Sequence, residues 1–225
     1  GPLVASPNFR HPVPFAKEVV ALDDLSQGRL TLGIGAGGNG WDATMLGGPA
    51  WAPRERTERF EEFVELLDVL LCSPAASWAG RHYAADEART APGCVQRPRV
   101  PFAIAATGPR GMALAARFAD LWVTTGDRSG KGPVAAAAGA RIVAEQVARL
   151  EAACRAVGRE PATLARLVLT GPSLDPGLTS AAEFEETRGQ YASVGVTDLV
   201  VPWPRDTDPY AGDEARFEQI VAGCA

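Results

Sequence analysis

Apolar positions along the 225-residue chain fall into two alternating signatures. Short runs rich in Leu, Ile, Val and Thr at residues 3–6, 30–35, 102–106, 121–125, 167–170 and 198–202 predict six brief, buried strands. Between them the period lengthens to that of a helix. Residues 13–25 predict a helix with Phe15, Val19, Leu22 and Leu25 on its apolar face, closed by Gly28 in the left-handed cap position. The clearest pattern is 53–72, where Phe60, Phe63, Val64, Leu67, Leu70 and Leu71 share one face and Arg56, Glu58, Glu61, Glu62 and Glu65 read as solvated charges. Further helices are predicted over 109–119, 133–157 and 210–221, and another behind the capping box Ser180 to Glu183, with Phe184, Tyr191 and Val194 inward. Strands alternating with helices predict a single α/β domain, and the first strand, helix and strand predict a βαβ crossover. Residues 77–84 break the rhythm as a β-hairpin with Gly80 in its turn, followed by a Pro-rich connector that ends in Gln96-Arg97-Pro98-Arg99.

Two kinds of strand end carry candidate chemistry. The run RLTLGIGAGGNGWD at 29–42 ends a strand in Gly35, Gly37, Gly38 and Gly40. Lacking Cβ atoms, these residues can take positive φ and let a flat or anionic group approach their N–H groups, or they can form a tight turn into the next helix. A dinucleotide fold is not indicated, because WDATMLGGPAWAP is too rich in Gly and Pro for the helix such a motif requires. Thr107-Gly108-Pro109 follows the third strand, with Pro at the first position of a helix whose leading N–H groups would be free for a phosphate. Thr124-Thr125-Gly126-Asp127-Arg128 follows the next strand and adds hydroxyls and a guanidinium. An ordinary capped helix and a polar loop are the plainer alternative.

Composition narrows the partners. A net charge of −5, with acids and bases interspersed, offers no nucleic-acid or membrane surface. Cys72, Cys94, Cys154 and Cys224 lie far apart without zinc-like spacing, so they read as reduced thiols of a cytoplasmic protein, and no metal is expected. His82 has no second ligand nearby and reads as a structural or surface histidine. No membrane span or signal peptide is visible. The start GPLVAS lacks an initiator Met, and the expectation is that material upstream of the first strand is missing.

LVASPNFRHPVPFAKEVVALDDLSQGRLTLGIGAGGNGWDA, PRERTERFEEFVELLDVLL, the GRHY hairpin and QRPRVPFAIAATGPRGMALAARFADLWVTTG together resemble the bacterial-luciferase-like flavin monooxygenases, and within them the oxidoreductases that use the deazaflavin coenzyme F420. That resemblance implies a (β/α)8 TIM-type barrel in which residues 3–6 are the third strand and 30–35 the fourth, so an incomplete barrel lacking its first two strands. It implies a non-prolyl cis peptide at Leu3-Val4 behind the cofactor ring, with Gly37, Gly38 and Asn39 facing the ring edge. Where the glucose-6-phosphate dehydrogenase branch has a glutamate proposed as the acid, this chain has Gly38. The implied phosphate cradle is Thr107, Gly108, Pro109, Thr125 and Gly126, with Arg128 as a basic partner. Substrate-side acids and bases come largely from the two absent strands, so no catalytic residue is nominated. The function implied is hydride transfer between F420 and a small organic substrate, in a homodimer. The alternatives are an FMN-dependent monooxygenase or a non-catalytic truncated fragment.

Overall fold

The computed structural model describes residues 1–38, 40–127 and 132–223. The chain forms two compact units, Gly1–Leu121 and Trp122–Ala225.

In the first unit, α1 (Pro12–Leu25) leads to β1 (Leu32–Gly35), a short turn of helix α2 (Trp41–Thr44) and the long helix α3 (Pro53–Cys72). A hairpin of β2 (Ala75–Ala79) and β3 (Ala84–Arg89) follows, then β4 (Phe102–Ala105) and α4 (Pro109–Phe118). β1 pairs in parallel with β4, from Leu32 beside Phe102 to Gly35 beside Ala105. Its other edge meets Ala5 in a parallel bridge to Ile34, which makes the βαβ crossover. The predicted first strand is therefore reduced to one bridge. Ser6 passes at once into a turn that Phe9 N–H closes on its carbonyl, and Pro7 has no N–H with which to extend the ladder.

The core lies between α1, α3 and the strands. Phe15, Val19, Phe63, Val64, Leu67, Leu70, Ile34, Phe102 and Ile104 are all essentially inaccessible, and the rings of Phe15 and Phe63 approach to 6.0 Å. Leu22 and Leu25 do not join them: they are exposed, and the fully buried residue on that last turn is Asp23. Its carboxylate accepts the backbone N–H of Gln96 at 3.0 Å and the Gln96 side chain at 2.8 Å, and that same amide donates to Leu30 O. A buried backbone donor needs an acceptor, and this need turns α1 away from its purely apolar face. Arg99 completes the connector's attachment by donating to Asp68, Val100 O and Phe118 O, which holds β4 against α3 and α4.

Most carboxylates on α3 are engaged rather than simply solvated. Glu58 pairs with Arg54 and Arg81, Glu61 with Arg110 and Glu65 with Arg117. Glu62 accepts from Trp78 Nε1 at 3.1 Å and from the backbone N–H groups of Arg81, His82 and Tyr83 at 3.1, 2.9 and 2.9 Å, which pins the hairpin turn to the helix.

In the second unit, β5 (Leu121–Thr124), β6 (Ala165–Leu169) and β7 (Asp198–Val200) lie side by side, interleaved with α5 (Ala136–Ala156) and α6 (Ala181–Ser193) and followed by α7 (Glu214–Ala222). β6 and β7 are parallel, with Leu167 beside Asp198 and Leu169 beside Val200. Ser180 caps α6 by accepting from Glu183 N–H, as its capping box predicts. The last helix begins at Glu214 rather than Tyr210, because Asp213 takes the cap by accepting from Arg216 N–H while Tyr210 O is held by Arg205 N–H in a loop.

Candidate functional site

Ala5, β1 and β4 run parallel and in register, so the segments that follow them leave the first unit's sheet at the same edge. Residues 6–8, 36–38 and 106–108 are thereby gathered where parallel α/β sheets carry their ligands. Gly37 and Gly108 both follow strands at this edge.

The Leu3–Val4 peptide is cis, the bond to which the resemblance assigns that geometry. Both side chains are about two-fifths exposed, at 39% and 40%, and form an apolar surface. Gly33 and Gly35 give the segment room: a Cβ on Gly33 would stand 2.0 Å from Pro2 O, and one on Gly35 would stand 2.8 Å from Val4 Cγ2. Gly37, at φ +86, and Gly38 continue as a backbone shelf. Gly38 N–H donates to the Asp42 carboxylate at 3.2 Å, and Gly38 O accepts from Asn8 Nδ2 at 3.4 Å. A Cβ on Gly37 would fall 2.6 Å from Asn8 Nδ2. Gly37→Ala therefore combines an unfavourable backbone conformation with a collision, and is expected to lower stability by about 1–3 kcal/mol in chemical denaturation. Wild-type stability in that variant would show that the shelf is not held against Asn8.

The third segment ends in the N-terminus of α4. Gly108 is the cap residue, with φ −87 and ψ 159, and having no side chain it makes no cap hydrogen bond to the helix's leading N–H groups. Pro109 occupies the first helical position, and Met112 N–H already closes on Gly108 O. Thr107, Gly108, Pro109 and Arg110 are exposed. The backbone N–H groups of Arg110 and Gly111, the positive end of the helix dipole and the Thr107 hydroxyl make a donor set suited to an anion. The guanidinium of Arg110 is turned to Glu61 and Glu58 and is not part of that set.

The nominated residues of the second unit are organised differently. Gly126 N–H donates to Thr124 Oγ1 at 3.0 Å, and the buried Gln146 both accepts from that hydroxyl at 2.5 Å and donates to Gly126 O at 3.3 Å. The backbone donor of Gly126 is thus consumed within the turn, while Thr125 follows β5 directly. Asn39, Arg128 and Cys224 lie outside the described residues.

Three residues at the shelf are not among the candidates read from the sequence: Asn8, Asp42 and Arg59. Arg59 is 9% exposed, donates to Asn8 Oδ1 at 2.6 Å and lies 4.9 Å from the centre of the Trp51 ring. Its signal is a charge in phase with an apolar stripe, at the helical spacing that links it to Phe63, Leu66 and Leu70. Nearby, burial lowers the pKa of Arg59 and pushes the Tyr83 phenol up to about 12, so Tyr83 stays neutral at physiological pH. His82 contributes its backbone to Glu62 and its ring edge-on to Trp51, a structural position. Among the described residues no cluster of His, Cys, Asp and Glu could hold a metal ion, and no helix is long and apolar enough to cross a membrane.

A family model described as luciferase-like monooxygenase matches residues 3–216. An F420-dependent glucose-6-phosphate dehydrogenase of Nakamurella multipartita is 34% identical over 137 residues, which are 59% of this chain and 38% of that protein. An F420-dependent hydroxymycolic acid dehydrogenase of Mycobacterium tuberculosis is 31% identical over 168 residues, 72% of this chain and 41% of that one. The chain thus spans well under half the length of these curated relatives. Among solved structures, the coenzyme F420-dependent tetrahydromethanopterin reductase of Methanopyrus kandleri superposes with a TM-score of 0.75 at 16% identity, over 98% of this chain and 80% of that one. An F420-dependent secondary alcohol dehydrogenase in complex with an F420–acetone adduct gives 0.74 at 16% identity, over 88% and 72%. At such identity the likeness is one of fold: α/β and of the TIM-barrel type, with the described parallel strands fewer than the eight of a complete barrel.

Proposed function

The chain belongs to the luciferase-like monooxygenase family, and from that premise we propose that it works as an F420-dependent oxidoreductase acting on a small organic substrate. The observation that carries this reading is the joint placement, on one sheet edge, of the glycine shelf and the uncapped N-terminus of α4. A flat heterocycle needs an apolar backing with backbone access, and its phosphorylated tail needs donors. The first unit offers both.

In this reading Leu3 and Val4 back the ring, and Gly37 and Gly38 allow its edge to approach the backbone. Thr107 Oγ1 and the N–H groups of Arg110 and Gly111 hold the phosphate. The deazaflavin, when bound, supplies the hydride chemistry. The protein's contribution is to grip the anion, orient the plane and keep water from that face. The names of the curated relatives, both F420-dependent dehydrogenases, favour F420 over FMN.

Titration of the full-length protein with each cofactor, followed by fluorescence, tests the reading. F420 is expected to bind at least about tenfold more tightly than FMN, a difference of roughly 1.4 kcal/mol. Equal or tighter binding of FMN would overturn the cofactor assignment, and binding of neither would overturn the function.

A further inference from the structure

Asn8 stands between a buried cation and the glycine shelf. None of the ion pairs among the described residues includes Arg59. Its polar contact is Asn8 Oδ1 at 2.6 Å, and the Trp51 ring covers its face. Burying a guanidinium without a counter-charge is costly, and an apolar side chain at this place in the α3 stripe would pack without that cost. What the guanidinium adds is direction.

A carboxamide has one accepting end and one donating end. Because Arg59 can only donate, it fixes Oδ1 toward itself and leaves Nδ2 facing Gly38 O at 3.4 Å. The flipped amide would set donor against donor at one end and acceptor against acceptor at the other. The fixed carboxamide also fills the space beside Gly37, where even a methyl group would collide with it. On the far side Asp42 takes Gly38 N–H.

We infer that Arg59 is a positioning residue which, through Asn8, sets the backbone of Gly37 and Gly38 and so the plane of the cofactor shelf. The identity of what rests on the shelf depends on the proposed F420 reading; the coupling from Arg59 to the loop does not.

Asn8→Asp is the decisive variant. Aspartate has the same shape, keeps an acceptor for Arg59 and supplies its missing counter-charge, but it turns an oxygen toward Gly38 O. Were the Arg59–Asn8 contact merely structural, this variant would be as stable as the wild type or more so, with an unaltered loop. The relay predicts a retained or raised melting temperature together with amide hydrogen exchange at Gly37 and Gly38 faster by about tenfold, and F420 affinity weaker by about tenfold. Arg59→Met cuts the relay at its other end and should reproduce the exchange and affinity changes. Exchange is read on the protein without cofactor, so it reports on the relay even if wild type fails to bind F420, which would count against the function alone. Unchanged exchange in Asn8→Asp overturns the relay. Faster exchange with unchanged F420 affinity overturns the shelf as the place where the cofactor rests.

Discussion

Replacing Gly108 with aspartate is expected to abolish cofactor binding while leaving the protein slightly more stable. Gly108 already has the extended backbone of a helix cap, and a Cβ built there meets nothing within 4 Å, so the new side chain enters without displacement. An aspartate at that position accepts from the N–H of Arg110 or Gly111 and faces the positive end of α4, which together stabilise by a few tenths to about 1 kcal/mol. Those donors are the ones assigned to the phosphate. A carboxylate in the same place both occupies them and repels a second anion, so F420 affinity is expected to fall by about a hundredfold or more, some 2.8 kcal/mol. Thermal unfolding and a fluorescence titration on one preparation read the two effects with opposite signs. A more stable variant that still binds F420 normally would remove the α4 N-terminus from the site, whereas a variant that loses both would mean that Gly108 matters to the fold instead.

Why this edge is legible and its support is not follows from the range of the interactions. Strands and helices with a strong local period appear where the pattern puts them: α3 spans Pro53–Cys72 as predicted, and β4 and α4 differ from expectation by a residue. Proline at the first helical position and glycine at a cap are signals written within three or four residues. The same holds for the glycine shelf, whose strand and loop are contiguous. In each case one short segment contains the physical cause.

Long-range polar partnerships leave no such trace. Asp23 and Gln96 are 73 residues apart, and Asn8 and Arg59 are 51 apart. Nothing local distinguishes a carboxylate that will bury itself under a connector from one that will remain in water, and so the periodicity gives Leu22 and Leu25 a face that Asp23 occupies. The chemistry of Gly126 is hidden for a similar reason. Its donor is satisfied by Thr124, two residues back, but that hydroxyl is oriented by Gln146 from α5. Arg59 alone offers a hint, since a charge repeating in phase with Phe63 and Leu70 has to find a partner in the interior.

Glu62 shows what such a partnership contributes, and Glu62→Gln is expected to release the hairpin. Two strands with exposed flanks hold together poorly by themselves, and the β2–β3 ribbon is exposed to half-buried along its length. The hairpin is attached to α3 by Glu62, whose carboxylate collects four donors, and by the ion pair of Arg81 with Glu58. Hydrogen bonds to a charged group are worth about 1.5–3 kcal/mol each, so turning even one of the four into a clash weakens the attachment by at least about that much. Glutamine preserves the shape but turns an NH2 toward at least one of those N–H groups, giving two donors face to face. Burial raises the Glu62 pKa, but the N–H groups of His82 and Tyr83 and the Trp78 indole outweigh it, and the net shift is below the ordinary value of 4.5. A depressed folded-state pKa means that the stabilisation is full above the unfolded value and is lost as pH falls through the folded one. Hydrogen exchange and limited proteolysis across residues 75–89 should therefore show the hairpin of the wild type loosening on acidification below about pH 4.5. The Glu62→Gln variant should be loose already at neutral pH, with only the Arg81–Glu58 pair left for further acid to release. A glutamine variant that kept wild-type protection, or a wild type whose hairpin ignored acid, would shift the attachment from the carboxylate to the packing of Trp78 and Tyr83 against α3.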